Sequence, residues 1–119
     1  MFREGNTLRK IDAIIRPDKL NEIKAGLAKL GVRGMTVSEV FGCGLQKGHI
    51  GVYRGKEYSI NLLPKVKIEV VVPAGIAGDV VKVIAEYGRT GNIGDGKIFI
   101  YPVSQVYRIR TGESGSAAL

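Results

Sequence analysis

Residues 65–72, KVKIEVVV, put Val66, Ile68, Val70 and Val72 on one side of an extended chain and Lys65, Lys67 and Glu69 on the other. Such a run is stable only as a strand with one face on an apolar core, so the rest of the chain must supply a layer that covers that face. Two stretches have the period to do so. Residues 19–30 place Leu20, Ile23, Leu27 and Leu30 on one helical face, with Asp18 as the expected N-cap and Gly31 as the stop. Residues 76–87 gather Ile76, Val80, Val83, Ile84 and Tyr87, between the Pro73-Ala74-Gly75 break and Gly88.

Three more runs read as strands: LRKIDAII at 8–15, closed by Arg16-Pro17; MTVSEVF at 35–41, with Met35, Val37 and Val40 expected inside around a bend; and IFIYPV at 98–103. Pro64 is read as separating 59–63 from the main strand, and VYRIR at 106–110 as a short extended piece. The order strand, helix, strand, strand, helix, strand predicts an α+β, ferredoxin-like βαββαβ fold with an antiparallel sheet. Both helices would cover one sheet face. The other carries Ile14, Val71 and Phe99, which a single copy leaves in water, so self-association is expected. One domain is read over 8–112, between a flexible leader at 1–7 and a flexible tail at 113–119.

Residues 42–58, GCGLQKGHIGVYRGKEY, hold five glycines, three basic residues and two tyrosines. A loop of this length in a small domain is uncommon unless it works, so it is read as the functional arm and the remainder as its mount. The formal net charge of +7 points to an anionic partner without choosing among phosphate, carboxylate, nucleic acid and an acidic protein face. The lone Cys43 excludes an intrachain disulfide and a cysteine-based metal site, and the one histidine, His49, cannot build a metal site alone. No Ser/His/Asp set or differentiated carboxylate pair is visible, so catalysis has no apparatus. No apolar run reaches a membrane span and the start lacks a secretory pattern, so a soluble, cytoplasmic protein is expected.

Two anion signals remain. GNIGDGK at 91–97 fits the glycine-lysine part of a P-loop, but Ile98 replaces the magnesium-binding Ser/Thr, and the loop follows a helix and opens a strand, the reverse of a P-loop. Its glycines could still offer backbone N–H groups as an anion nest, with Lys97 beside it; an ordinary tight turn is the competing reading. Arg108 and Arg110 would project to one side of an extended VYRIR, either as a phosphate clamp or as a solvated edge.

The runs KIDAIIRP, GMTVSEV, QKGH, YRGKEY, LPKVKIEVVV, TGNIGDGKIFI and RIRTGE together resemble the PII nitrogen-regulatory signal proteins, in that family's order, from about Arg9 onward. The resemblance implies a homotrimer whose sheets face one another and whose long loops project to one side. It implies that ATP or ADP competes for a cleft between subunits. There the nucleotide would meet Ile14, Thr36, the backbone of Gly42, Cys43, Gly44, Leu45 and Gln46, and Glu69 and Val71 on one side. Gly94, Asp95, Gly96 and Lys97 would cradle phosphates, and Arg108 and Arg110 would come from the adjoining chain.

It further implies that 2-oxoglutarate binds with Mg²⁺-ATP. Gln46 would ligate the metal, Lys65 would pair with one carboxylate, and backbone N–H groups from Gly44 through Gln46 and Lys47 to Gly48 would take the other. Magnesium prefers hard oxygens, and a keto acid resting on ATP-held metal couples the two ligands. The loop would then change shape and report nitrogen and carbon status to targets such as an ammonium transporter or nitrogen-assimilation enzymes and regulators. Arg54 matches the arginine that enters the transporter exit, and Tyr58 the tyrosine uridylylated or adenylylated in some members. Lys56 stands where other members carry a phosphorylated serine, and Leu45 where many have a basic residue, so those contacts do not transfer; residues 1–7 lie outside the resemblance. The resemblance implies a signal transducer rather than an enzyme, with room for weak ATP hydrolysis. The alternatives are an ATP-hydrolysing enzyme and a basic RNA-binding module, whose stacking aromatics KVKIEVVV lacks.

Overall fold

The computed structural model describes residues 8–45 and 60–119. The elements run β1 (Leu8–Ile15), α1 (Leu20–Lys29), β2 (Thr36–Leu45), β3 (Ile60–Pro73), α2 (Ala74–Gly88) and β4 (Lys97–Val103), with 3-10 turns at Pro17–Lys19 and Gly115–Ala118. They form one antiparallel four-stranded sheet in the order β2-β3-β1-β4, the expected ferredoxin-like arrangement. Among the described residues no helix is long and apolar enough to cross a membrane.

The core follows the alternation. Val66, Ile68, Val70 and Val72 are all buried, and they pack with Ile11, Ala13 and Ile15 of β1 under Ile23 and Leu27 of α1 and Ala77, Val80 and Ile84 of α2. Leu20, Leu30, Ile76 and Val83 lie at its margin, as the helical periods require, whereas Tyr87 stays 38% exposed. The helices meet at a glycine. A Cβ on Gly26 would lie 2.6 Å from Val83 Cγ1 and 3.0 Å from Tyr87 Cε2, so α1 and α2 approach through the missing side chain. Gly26→Ala gains helix propensity but must push Val83 aside, and overpacking costs of about 1–3 kcal/mol outweigh a propensity gain of about 1 kcal/mol or less. A lower urea midpoint with an unchanged m-value is expected; a raised midpoint would show that the interface has slack.

Four local expectations give way. Asp18 lies inside the Pro17–Lys19 turn, and neither that turn nor α1 has a side-chain cap; Pro17, with its fixed φ, starts the turn instead. Val37 opposes Ile68 and Val40 opposes Lys65, three residues apart on a regular strand, so they face opposite ways; Val37 is 41% exposed on the sheet edge. β2 and β3 pair beyond the predicted strand ends, from Phe41 opposite Pro64 to Leu45 opposite Ile60, so residues 42–45 belong to a ribbon. Pro64 is admitted because β1 stops at Ile15, opposite Val66, and β3 beyond that point is paired on one side only.

VYRIR is the fourth. Tyr107 bridges Ser114, the Arg108 amide donates to the Glu113 carbonyl at 2.8 Å, and the Gly112 amide donates to the Arg108 carbonyl at 2.8 Å, so Arg108 and Arg110 sit in a reversing turn rather than side by side on a strand. Gly112, at φ +78°, permits that reversal. The segment read as a loose tail carries the Gly115–Ala118 turn, with Gly115 buried.

The sheet face away from the helices holds a charge network. Lys10 Nζ lies 3.0 Å from Glu69 Oε1 and 3.5 Å from Asp12 Oδ1, and Lys67 Nζ lies 3.9 Å from Asp12 Oδ2. Asp12 is buried, and its Oδ1 has no hydrogen-bond partner. Ile14 and Val71 are half-buried on this face and Phe99 is exposed, which matches the uncovered apolar surface anticipated there.

Candidate functional site

A glycine-rich turn joins α2 to β4. Gly91, Gly94 and Gly96 all take positive φ, +90°, +105° and +102°. At the last of these a side chain is excluded outright, because a Cβ would stand 1.7 Å from the Ile14 carbonyl oxygen. The turn is therefore laid directly on the β1 backbone, where Ile14 opposes Lys97.

Asp95 organises it from within. Its carboxylate accepts the Thr90 hydroxyl, the Thr90 amide at 2.8 Å, the Gly91 amide at 2.8 Å and Arg16 Nε at 2.9 Å. The Thr90 hydroxyl, the two amides and the guanidinium hold this carboxyl well below the usual carboxylate range, so it stays ionised near neutral pH. Arg16 also donates from Nη2 to the Ile93 carbonyl at 3.0 Å, pinning the turn to the end of β1 from a position 79 residues earlier. The amides of Thr90 and Gly91 are spent on Asp95, so the start of the loop is not free for an anion.

Lys65 joins the turn from β3. Its ammonium donates to the Gly94 carbonyl, and its stem passes 3.4 Å from the position of a Cβ on Gly42. Arg16 Nη2 and Lys65 Nζ stand 3.3 and 3.4 Å from the position of a Cβ on Gly94. Among the described residues Lys65 has no acidic partner, so two cations converge on Gly94 and only Arg16 is neutralised. The root of the β2-β3 ribbon is thus tied to the glycine turn by one lysine.

Two cavities divide the remaining candidates. The smaller, about 260 Å³, is lined by Ile14, Asp95, Gly96 and Lys97 with Ile84 and Arg89. The larger, about 800 Å³, is lined by Thr36, Glu69, Val71 and Arg108, with Lys10, Arg33 and Ser116 through Leu119 around them. That volume is within the range of small-molecule sites. Thr36 faces Glu69 across the β2-β3 pair. The Glu69 carboxyl is held below its ordinary range, and the Lys10 ammonium above its own, by the hydrogen bond between them.

Ile14 and Thr36, expected on one side of a single cleft, line different cavities of the same chain, and Arg108 lines the cavity of Thr36, Glu69 and Val71. Arg110 is exposed in its turn and lines neither. Gly42, Cys43, Gly44 and Leu45 lie in β2, with Cys43 exposed. Gln46, Lys47, Gly48, Arg54 and Tyr58 lie outside the described residues. Arg16, Thr90 and Glu113, which order the two basic elements, were not singled out by spacing.

Comparison with known proteins places this geometry. The family profile described as "Nitrogen regulatory protein P-II" matches residues 8–113. The chain is 54% identical over 112 residues to nitrogen regulatory protein P-II 1 of Escherichia coli (strain K12), covering 94% of this chain and 100% of that protein. It is 51% identical over 112 residues to nitrogen regulatory protein P-II of Azospirillum brasilense, with the same coverage, 94% and 100%. Among solved structures, the B. subtilis GlnK-ATP complex superposes with a TM-score of 0.83 at 36% identity, over 98% of this chain and 100% of that one. A second structure, of B. subtilis GlnK, gives 0.82 at 41% identity, over 95% and 99%. A β-ribbon tied by a lysine to a glycine turn, on a ferredoxin-like sheet whose sequence matches from β1 to the Arg108 turn, makes this chain a member of the P-II nitrogen regulatory protein family, a regulatory signal transducer and not an enzyme.

Proposed function

We propose that the protein binds ATP or ADP competitively, and 2-oxoglutarate together with Mg²⁺-ATP, in clefts between the subunits of a homotrimer, and that the ligand state is read out through residues 46–59. The observation that carries this reading is the division of the candidate residues. Thr36, Glu69, Val71 and Arg108 line one cavity, and Ile14, Gly96 and Lys97 line another. Two half-sites on one chain make a whole site when the larger cavity of one subunit meets the smaller cavity of the next. The exposed Phe99 and Tyr101 on the far sheet face supply apolar surface for such an assembly. The B. subtilis relative forms a GlnK-ATP complex, which supports a nucleotide as ligand here.

Phosphates would rest on the backbone of Gly94 and Gly96 beside Lys97, with Arg108 and Arg110 contributed by the neighbour. Lys65 suits a carboxylate: it is a cation whose partner in the structure is a backbone carbonyl, and a keto-acid carboxylate would draw it from Gly94. The tie between the ribbon root and the glycine turn would then be remade, which moves the chain that leads into residues 46–59. Gln46 would hold the magnesium, and the backbone of 44–48 the second carboxylate. The metal, bound by ATP phosphates and Gln46, would give the keto acid a hard Lewis-acid contact. Arg54 and Tyr58 are proposed for transporter contact and for nucleotidylylation, and an ammonium transporter or nitrogen-assimilation proteins as targets reached from the cytoplasm.

Titration calorimetry tests the reading. Expected are heat from ATP and from ADP, heat from 2-oxoglutarate only when Mg²⁺-ATP is present, and no heat from single-stranded RNA. Lys65→Ala and Gln46→Ala should each weaken the keto acid at least tenfold, since a charge-assisted contact contributes about 1.5–3 kcal/mol. Keto-acid binding of equal strength without nucleotide would overturn the coupling.

A further inference from the structure

The Arg108 guanidinium already has a partner on each terminal nitrogen. Nη1 donates to Glu113 Oε1 at 3.1 Å, and Nη2 donates to the Leu119 carbonyl at 2.8 Å. Glu113 is aimed by Thr111, whose hydroxyl donates to the same Oε1 at 2.8 Å. The backbone holds the segment in place: the Tyr107–Ser114 bridge, the Arg108 amide on the Glu113 carbonyl, and the Gly115 amide on the Val106 carbonyl at 2.9 Å. Residues 116–119 then form part of the wall of the larger cavity, next to Arg108.

We propose that residues 113–119 are a tethered competitor for Arg108, an internal anion and carbonyl that a phosphate must displace before the larger half-site can hold a nucleotide. This rests on the nucleotide reading above and adds a regulation to it. The chemistry of the exchange is balanced. A guanidinium donates two parallel N–H bonds, and it can direct them at a carboxylate and a carbonyl or at two phosphate oxygens, but not at both. Because the competitor is on the same chain, its effective concentration is high even though each contact is weak, and its effect is to lower apparent affinity by the fraction of molecules in which Arg108 is held. The Arg108–Glu113 pair is partly exposed, with side chains 37% and 46% accessible, so its hold is modest.

Glu113→Gln in the chain of residues 1–119 keeps the shape of the side chain and loses the charge. It should bind ATP and ADP about two- to five-fold more tightly than the native chain. Glu22→Gln on α1, an exposed residue whose helix lines neither cavity, removes the same charge and should leave both affinities within about 1.5-fold, which separates a local effect from net charge. In the native chain, ATP should speed hydrogen exchange at the Gly115 and Leu119 amides, because displaced residues lose the bonds that protect them. Unchanged or weaker nucleotide binding by Glu113→Gln, an equal gain in Glu22→Gln, or slower exchange at both amides on adding ATP would overturn the proposal. If the native chain binds no nucleotide, the functional reading fails instead.

Discussion

Gly96→Ala is expected to cost about 3 kcal/mol or more of folding stability. Two costs add. An alanine at φ +102° is in the left-handed region, which costs about 1–2 kcal/mol. Its Cβ would also stand 1.7 Å from the Ile14 carbonyl oxygen and 2.8 Å from the Ile14 carbonyl carbon. Both are backbone atoms at the end of the β1-β4 pairing, where Ile14 opposes Lys97, so no rotamer change relieves the contact, and the end of β4 must lift off β1 or the turn must unwind. Gly91→Ala is the internal control. Gly91 has φ +90° but open space around its missing side chain, so it carries the conformational cost alone. Urea unfolding of both variants measures the difference, which should be at least about 1 kcal/mol, the steric part alone; equal losses would show that the turn does not bear on β1.

The same contact explains which parts of the fold were legible in the sequence. KVKIEVVV and the two helical periods specify a half-buried strand and two one-sided helices, and of the apolar residues on their inward faces only Tyr87 lies outside the core and its margin. Short, right-handed connections leave few open antiparallel arrangements that pack both helices on the same sheet face, and the split βαβ order is one of them, so the topology could be read from the order of elements. The ribbon beyond Phe41 was not legible, because Gly42, Cys43 and Gly44 show no alternation and their pairing with residues 61–63 is carried by backbone bonds that leave no mark in side-chain pattern. VYRIR alternates, yet folds into a turn because the Gly112 reversal brings Ser114 back onto Tyr107, and local pairing there outweighs extension.

At the site, the glycine spacing in GNIGDGK was a valid sign of a tight, backbone-presenting loop, whereas the role of Asp95 was hidden. Its partners are Thr90 and Gly91 nearby and Arg16 on a different element, so a residue that spacing offers as a phosphate contact proves to be the brace of the turn. The grouping of residues was hidden for a related reason. Sequence order says nothing of which cavity Ile14 and Thr36 enter, and the strands that carry them are separated by β3 in the sheet.

That grouping makes the second large prediction. Lys97→Ala removes a charge from the smaller half-site and Arg108→Ala removes the guanidinium from the larger. In the proposed trimer each substitution damages every cleft, so each pure variant should bind ATP at least tenfold more weakly, by about 1.5 kcal/mol or more. Equal amounts of the two, unfolded and refolded together, assemble at random. A cleft is then intact when the subunit giving its turn carries Arg108→Ala and the neighbour giving its arginine carries Lys97→Ala, which occurs in about a quarter of the clefts. Titration of the mixture should show that fraction binding with native affinity, against none in either variant alone. Both substitutions remove one positive charge, so a general electrostatic effect would weaken the mixture as much as its components. A mixture with no high-affinity class, from variants that each elute at trimer mass, would mean that Lys97 and Arg108 serve one ligand from within one chain, and the split-site reading would fall.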